Sequence, residues 1–242
     1  MSGKFSFTFN LGGKGAAAPA TAAPATAAPA PAARAPAAVP ALKSADLFPT
    51  RIWQVHLDAL EPYMERWVAT VLGMRAAHPQ PAGRTVRQGW NSEDMSVLEQ
   101  AEFAPLREAV WAACSAALQE MGQGERRFYL QSWINLHDRG GFNFLHMHEG
   151  SLLSGSCYLQ VPPGAGEFVF RDPRPGVTHG YIKGGVPNGH ADVHLRPSDG
   201  LLVLFPCWME HYVEPHDGDE PRITIAFNAN PMDHEVTGSG RR

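Results

Sequence analysis

The sequence predicts an α+β fold: a double-stranded β-helix, or jelly-roll, core backed by two long N-terminal helices. Two stretches, 57–74 and 105–121, carry apolar residues at helical spacing. Short runs rich in Phe, Tyr, Val, Ile and Leu follow at 127–136, 154–161, 167–170, 192–196, 201–205 and 223–228. Gly, Pro, Asn and Asp separate them, as they do short strands. Helices ahead of many short strands pack as layers, and the strands close on themselves as a jelly roll.

The N-terminus comes first. Residues 1–15 include FSFTFN, which could dock on a partner or an edge strand, or be disordered. Residues 16–45 are nearly all Ala and Pro and have nothing large to bury, so a disordered, partly polyproline tether is expected. A single folded domain is expected over 46–234, starting near Asp46-Leu47-Phe48-Pro49, with a disordered tail over 235–242.

Within that domain, Leu57, Leu60, Met64, Trp67, Val68, Val71 and Leu72 form the stripe of the first helix, which His78-Pro79 breaks. Trp90-Asn91-Ser92 reads as a turn before a short helix over 96–100. Pro105 suits the start of the second helix, whose apolar face is Leu106, Val110, Ala113, Ala117 and Met121; Gly122 ends it. The Gly- and Pro-rich stretch 173–188 reads as a long loop over the mouth of the barrel.

With 242 residues, 44% of them hydrophobic, the chain can bury a sizeable core. A net charge of −4 gives no electrostatic footprint for nucleic acid or for an anionic membrane. No apolar run is long enough to span a bilayer. Cys114, Cys157 and Cys207 are odd in number and far apart, which argues for a reducing, cytoplasmic setting rather than a disulfide framework.

The chemistry centres on residues 133–158, WINLHDRGGFNFLHMHEGSLLSGSCY, which read as a strand, a glycine turn, a His-x-His pair and a second strand. Strand residues i and i+2 share a face, so His146 and His148 can converge on one ion, and His211 supplies a third ligand from a distant run. Three ligands on one face leave positions open, as a mononuclear iron site for oxygen chemistry requires. The middle position is histidine where a carboxylate is usual; Glu149, next to it, would face away in an extended strand. Eleven residues after His211 comes Arg222, with Thr224 two further on. A strand arginine can clamp a dicarboxylate by its fork, and a hydroxyl two residues on shares the face. Asn135 could point into the pocket or satisfy a strand end. His137, His179, His190 and His194 read as loop and surface residues, and Cys157 and Cys207 as small hydrophobes.

From about Phe48 to Asn228 the chain resembles a bacterial family of 2-oxoglutarate and Fe(II)-dependent oxygenases, prolyl-hydroxylase-like. The resemblance is carried by Gly141-Phe142, His146-Met-His148 and Ser154-Gly155-Ser-Cys-Tyr158 through Pro162. It continues in Phe170 to Arg174, Gly200 to Pro206 with His211, and Arg222 to Asn228. It implies Fe(II) as cofactor and 2-oxoglutarate as cosubstrate, with O2 and a small-molecule or peptide substrate as partners. It also implies His146, His148 and His211 as metal ligands, and Arg222, Thr224 and Tyr158 at the cosubstrate. No catalytic residue is expected beyond the metal centre. Two alternatives use fewer of these residues: a three-histidine metal enzyme without 2-oxoglutarate (thiol-dioxygenase-like or a zinc hydrolase), and a noncatalytic jelly-roll binding module.

Overall fold

A computed structural model describes Lys43, residues 48–174 and residues 192–232. The chain divides into two units, Met1–Pro49 and Thr50–Arg242, and every element below belongs to the second. The N-terminal segment, nearly all of the tether, most of the 173–188 loop and the tail lie outside the described residues.

In chain order the strands are β1 (Trp53–His56), β2 (Val86–Asn91), β3 (Phe128–His146), β4 (Leu153–Gln160), β5 (Phe168–Phe170), β6 (Val193–Leu195), β7 (Leu201–Pro206), β8 (His211–Val213) and β9 (Arg222–Pro231). Helix α1 spans Glu61–Ala77 and α2 spans Ala104–Glu120, each with a proline in its first two positions. The strands form one curled antiparallel sheet in the order β1-β7-β4-β9-β3-β8-β5-β6, with β2 on the other edge of β3. At 19 residues, β3 is long enough to pair with β9 through its first half and with β2 and β8 through its second.

Alternation along the central strands explains both layers. On β9, Ile223, Ile225, Phe227 and Ala229 face the helices, where Leu153, Cys157 and Leu159 of β4 and Leu202 and Leu204 of β7 join them. Trp67 and Val71 of α1 and Leu106, Val110, Cys114, Ala117 and Leu118 of α2 close that core. Leu201, Val203 and Phe205 point the other way and pack with Tyr158, Phe168, Phe170, Leu195 and Val213. The intervening residues of β9, led by Arg222 and Thr224, therefore face the interior.

Several expectations need correction. Phe48, near the expected start of the domain, is exposed, and the first element is β1, a strand that was not expected and whose WQVH is too short to show a pattern. The Trp90-Asn91 segment ends a strand, not a loop, and 97–99 is a single 3-10 turn. The buried face of α2 uses Cys114 and Leu118, while Met121 is exposed. Gly140-Gly141 makes no turn: β3 runs through it with a bulge opposite β2, where Gly140 takes φ 80°. Backbone bonds from Gly140 N to His216 O and from His216 N to Gly141 O hold the bulge.

Candidate active site

The position of each histidine follows from the sheet. β8 pairs with β3 so that His146 and His211 are register partners. His148 lies past the end of β3, so strand alternation does not bring it in; its backbone N–H binds Cys207 O at 3.0 Å, which anchors the turn. The three rings meet, with centroids 4.3 Å (His146–His211), 5.1 Å (His146–His148) and 5.2 Å (His148–His211) apart. One ring nitrogen of each lies within 4.8 Å of the other two, close enough to share an ion. Glu149 is exposed and outside this group. A second group joins His194 of β6 to Glu167, just before β5, and Glu214, just after β8, with His194 well exposed.

Hydrogen bonds fix the free nitrogens. Nδ1 of His146 donates to Phe144 O at 2.7 Å and Nδ1 of His211 to Met209 O at 2.9 Å, leaving Nε2 on both rings with its lone pair. Asn228 spans Ser154 Oγ and His148 Nδ1, at 2.8 and 3.4 Å. Asn228 accepts from Ser154 Oγ through Oδ1 and donates through Nδ2 to His148 Nδ1, so this contact does not free the His148 Nε2 lone pair as on the other two rings. Phe168 stacks on His211 at 5.1 Å, Phe205 meets it edge-on at 4.7 Å, and Trp133 lies 5.6 Å from His148. Burial lowers the pKa of all three histidines, to about 4 for His148 and well below 6.5 for His211. They are neutral at pH 7, the state that ligates metal.

These rings line one pocket together with Asn135, Asn143, Arg222 and Thr224. Arg222 is 1% exposed, and among the described residues no carboxylate pairs with it. Its guanidinium carbon lies 5.0 Å from the centre of the Tyr158 ring. Tyr158 is fully buried and does not line the cavity; it lies against the guanidinium, and its hydroxyl and the Arg222 cation interact favourably. Burial pushes its phenol up to about 12.

Sequence reasoning placed His137 at the surface, yet it is fully buried on β3 as the register partner of Arg222. The missed signal was the alternation Trp133, Asn135, His137, which continues the inward face of β3. Trp133, Asn143 and Phe168 also line the cavity and were not singled out. Cys157 is a buried hydrophobe, as expected, whereas Cys207 is half-buried. His179 and His190 lie outside the described residues.

Buried neutral histidines make stability pH-dependent. Burial, with Arg222 nearby, holds His137 down to about 3, against about 6.5 in an unfolded chain. Depressed folded pKa values give stability that is complete above pH 6.5 and lost as pH falls towards 4 (His148) and 3 (His137). The metal-free protein should therefore lose about 1.4 kcal/mol per group per pH unit across this window. Thermal melts at pH 7.5, 5.5 and 4.5 would show it, and a flat profile would contradict it.

Residues 131–228 match the family model described as "Putative 2OG-Fe(II) oxygenase". A search of curated proteins returns no significant match. Among solved structures, a Pseudomonas putida prolyl-4-hydroxylase is similar at 17% identity, covering 75% of this chain and 92% of that one, with TM-score 0.56. A Trichoplax adhaerens prolyl hydroxylase, in complex with a hypoxia inducible factor peptide fragment, gives 12% identity, 74% and 83% coverage and TM-score 0.51. The non-heme alpha ketoglutarate dependent epimerase SnoN from nogalamycin biosynthesis gives 16%, 80% and 87%, and 0.53. At these identities the structures speak for the fold alone: a jelly roll. The family match spans residues 131–228, the part of the chain that holds the three histidines and Arg222.

Proposed function

We propose that the protein is an Fe(II)- and 2-oxoglutarate-dependent dioxygenase that hydroxylates an unactivated C–H bond of a small molecule or a peptide side chain. One observation carries the reading: a buried guanidinium, with no carboxylate paired to it among the described residues, faces the same cavity as three neutral, convergent imidazoles. An uncompensated buried cation is costly, and a carboxylate is what would offset it. The donor set fits the metal too, since three neutral imidazoles brought to one face suit Fe(II).

In this reading His146, His148 and His211 hold the metal. Arg222 receives the distal carboxylate of 2-oxoglutarate through its fork, and Thr224, on the same face of β9, offers a hydroxyl to the same group. Tyr158 supports the guanidinium from behind. Bound here, Fe(II) with 2-oxoglutarate and O2 supplies conversion to succinate and CO2, one oxygen atom entering the C–H bond of the substrate. Trp133, Phe168 and Phe205 keep water from the imidazoles, which strengthens the electrostatics inside. An all-imidazole set carries one unit more positive charge than two histidines and a carboxylate, and an anionic cosubstrate offsets that charge. The epimerase and prolyl hydroxylases that share the fold show that it serves more than one outcome, and hydroxylation is the one assigned here.

The test is succinate release. Protein supplied with Fe(II), 2-oxoglutarate and O2 should form succinate slowly even without substrate, and chelation of the metal should stop it. Succinate no higher than in the metal-free control would contradict the assignment.

A further inference from the structure

Arg222 has an unusual neighbour for a buried cation: an imidazole. Its Nη1 lies 3.1 Å from His137 Nδ1, His137 Nε2 lies 2.6 Å from Asn143 Oδ1, and Asn143 Nδ2 lies 2.7 Å from Thr85 Oγ1. The directions of these bonds are fixed by chemistry. A guanidinium can only donate, so His137 Nδ1 must accept. A neutral imidazole accepting at Nδ1 carries its proton on Nε2, which donates to the Asn143 carbonyl oxygen. The Asn143 amide nitrogen then donates to the Thr85 hydroxyl. One assignment makes all three bonds consistent, running from β9 through β3 to the segment before β2.

The chain removes one guanidinium N–H from competition. With Nη1 held by His137 and the Tyr158 ring behind, the Arg222 side chain has little freedom to rotate. Nη2, the other arm of the fork, is then the nitrogen left to meet a ligand in the cavity that Arg222 lines. An apolar side chain at 137 would leave the guanidinium free to turn, and a fork is worth most when it does not.

We infer that His137 is a positioning residue that, through the Asn143–Thr85 chain, aims the Arg222 fork and thereby sets which length of 2-oxo diacid the site accepts. This rests on Arg222 as the anchor for the distal carboxylate. The side chain of His137 is walled off behind the arginine and needs no contact with the cosubstrate.

Anaerobic calorimetric titration of 2-oxoglutarate, and separately of the shorter oxaloacetate, into Fe(II)-loaded protein tests this. His137→Leu should weaken 2-oxoglutarate about 10–100-fold, the loss expected when a charged hydrogen bond is removed. It should also bring the two diacids closer in affinity while leaving Fe(II) affinity unchanged. His137→Asn, whose amide oxygen can replace Nδ1 as acceptor, should recover most of both losses. Thr85→Val, at the far end of the chain, should show the same trends in smaller measure, and with His137→Asn it carries the test if His137→Leu does not fold. Parental affinity and selectivity in the folded His137→Leu protein, or in Thr85→Val if His137→Leu does not fold, would overturn the inference and leave Arg222 as the anchor. Parent protein that takes Fe(II) but neither diacid would overturn that reading and this inference with it.

Discussion

Arg222→Met is expected to separate stability from function, abolishing 2-oxoglutarate binding while the ligand-free protein melts no lower than the parent. The guanidinium is 1% exposed and has no carboxylate partner among the described residues. Desolvation lowers its pKa, the sign of a charge held at a cost. Replacing such a charge by an apolar chain of similar length removes the desolvation penalty. It sacrifices the bond to His137 and the stacking on Tyr158. The penalty is the larger quantity, so the change in stability should lie between zero and about 2 kcal/mol in favour of the variant. Binding moves the other way. Two charge-assisted bonds at about 1.5–3 kcal/mol each predict a loss of 2-oxoglutarate affinity of at least about 100-fold. Thermal melts of both proteins, with and without the diacid, read both effects. A large destabilisation would mean that the arginine is a structural residue of the fold.

The second large effect falls on the metal. His211→Ala should lower Fe(II) affinity by more than about 100-fold, since outer partners of metal ligands alone cost 10–100-fold. His211 is 3% exposed, in ring contact with both other histidines and held between Phe168 and Phe205. Its removal also opens a cavity, so a stability loss of about 1–3 kcal/mol should accompany the loss of metal. His194→Ala serves as the control. That imidazole lies near Glu167 and Glu214 on the exposed side of the β5–β6–β8 strands, and Fe(II) affinity there should be unaffected. Equal losses in both variants would mean that the ion had been misplaced.

How much of this was readable from the residues differs by element. Strand β9 reads as RITIAFNA, and its alternation announces both the helix-packed face and the arginine-bearing one. The stripes of α1 and α2 were legible in part: Trp67 and Val71, and Leu106, Val110 and Ala117, are buried as expected, while Leu72 and Met121 are exposed and Cys114 and Leu118 take buried places. The His146–His211 partnership was inferred from residue type alone, since it depends on the pairing of β8 with β3, and pairing is a long-range property. His148 shows the limit of a local rule. Alternation predicted a shared face, but β3 stops at His146, and a backbone bond to Cys207 brings the second ring inward. His137 was misread because Asp138-Arg139-Gly140-Gly141 after it looks like a turn, whereas a bulge lets the strand continue. A bulge and a turn share the same residues, and only the partner strand tells them apart.

Titration of the anaerobic Fe(II) protein with 2-oxoglutarate, followed by visible absorption, tests the central claim most directly. The account predicts a weak charge-transfer band that saturates at one equivalent and is missing in both His211→Ala and Arg222→Met. No band in the parent protein, or a band of full strength in Arg222→Met, would contradict a site that holds the metal on three imidazoles and its cosubstrate on one guanidinium.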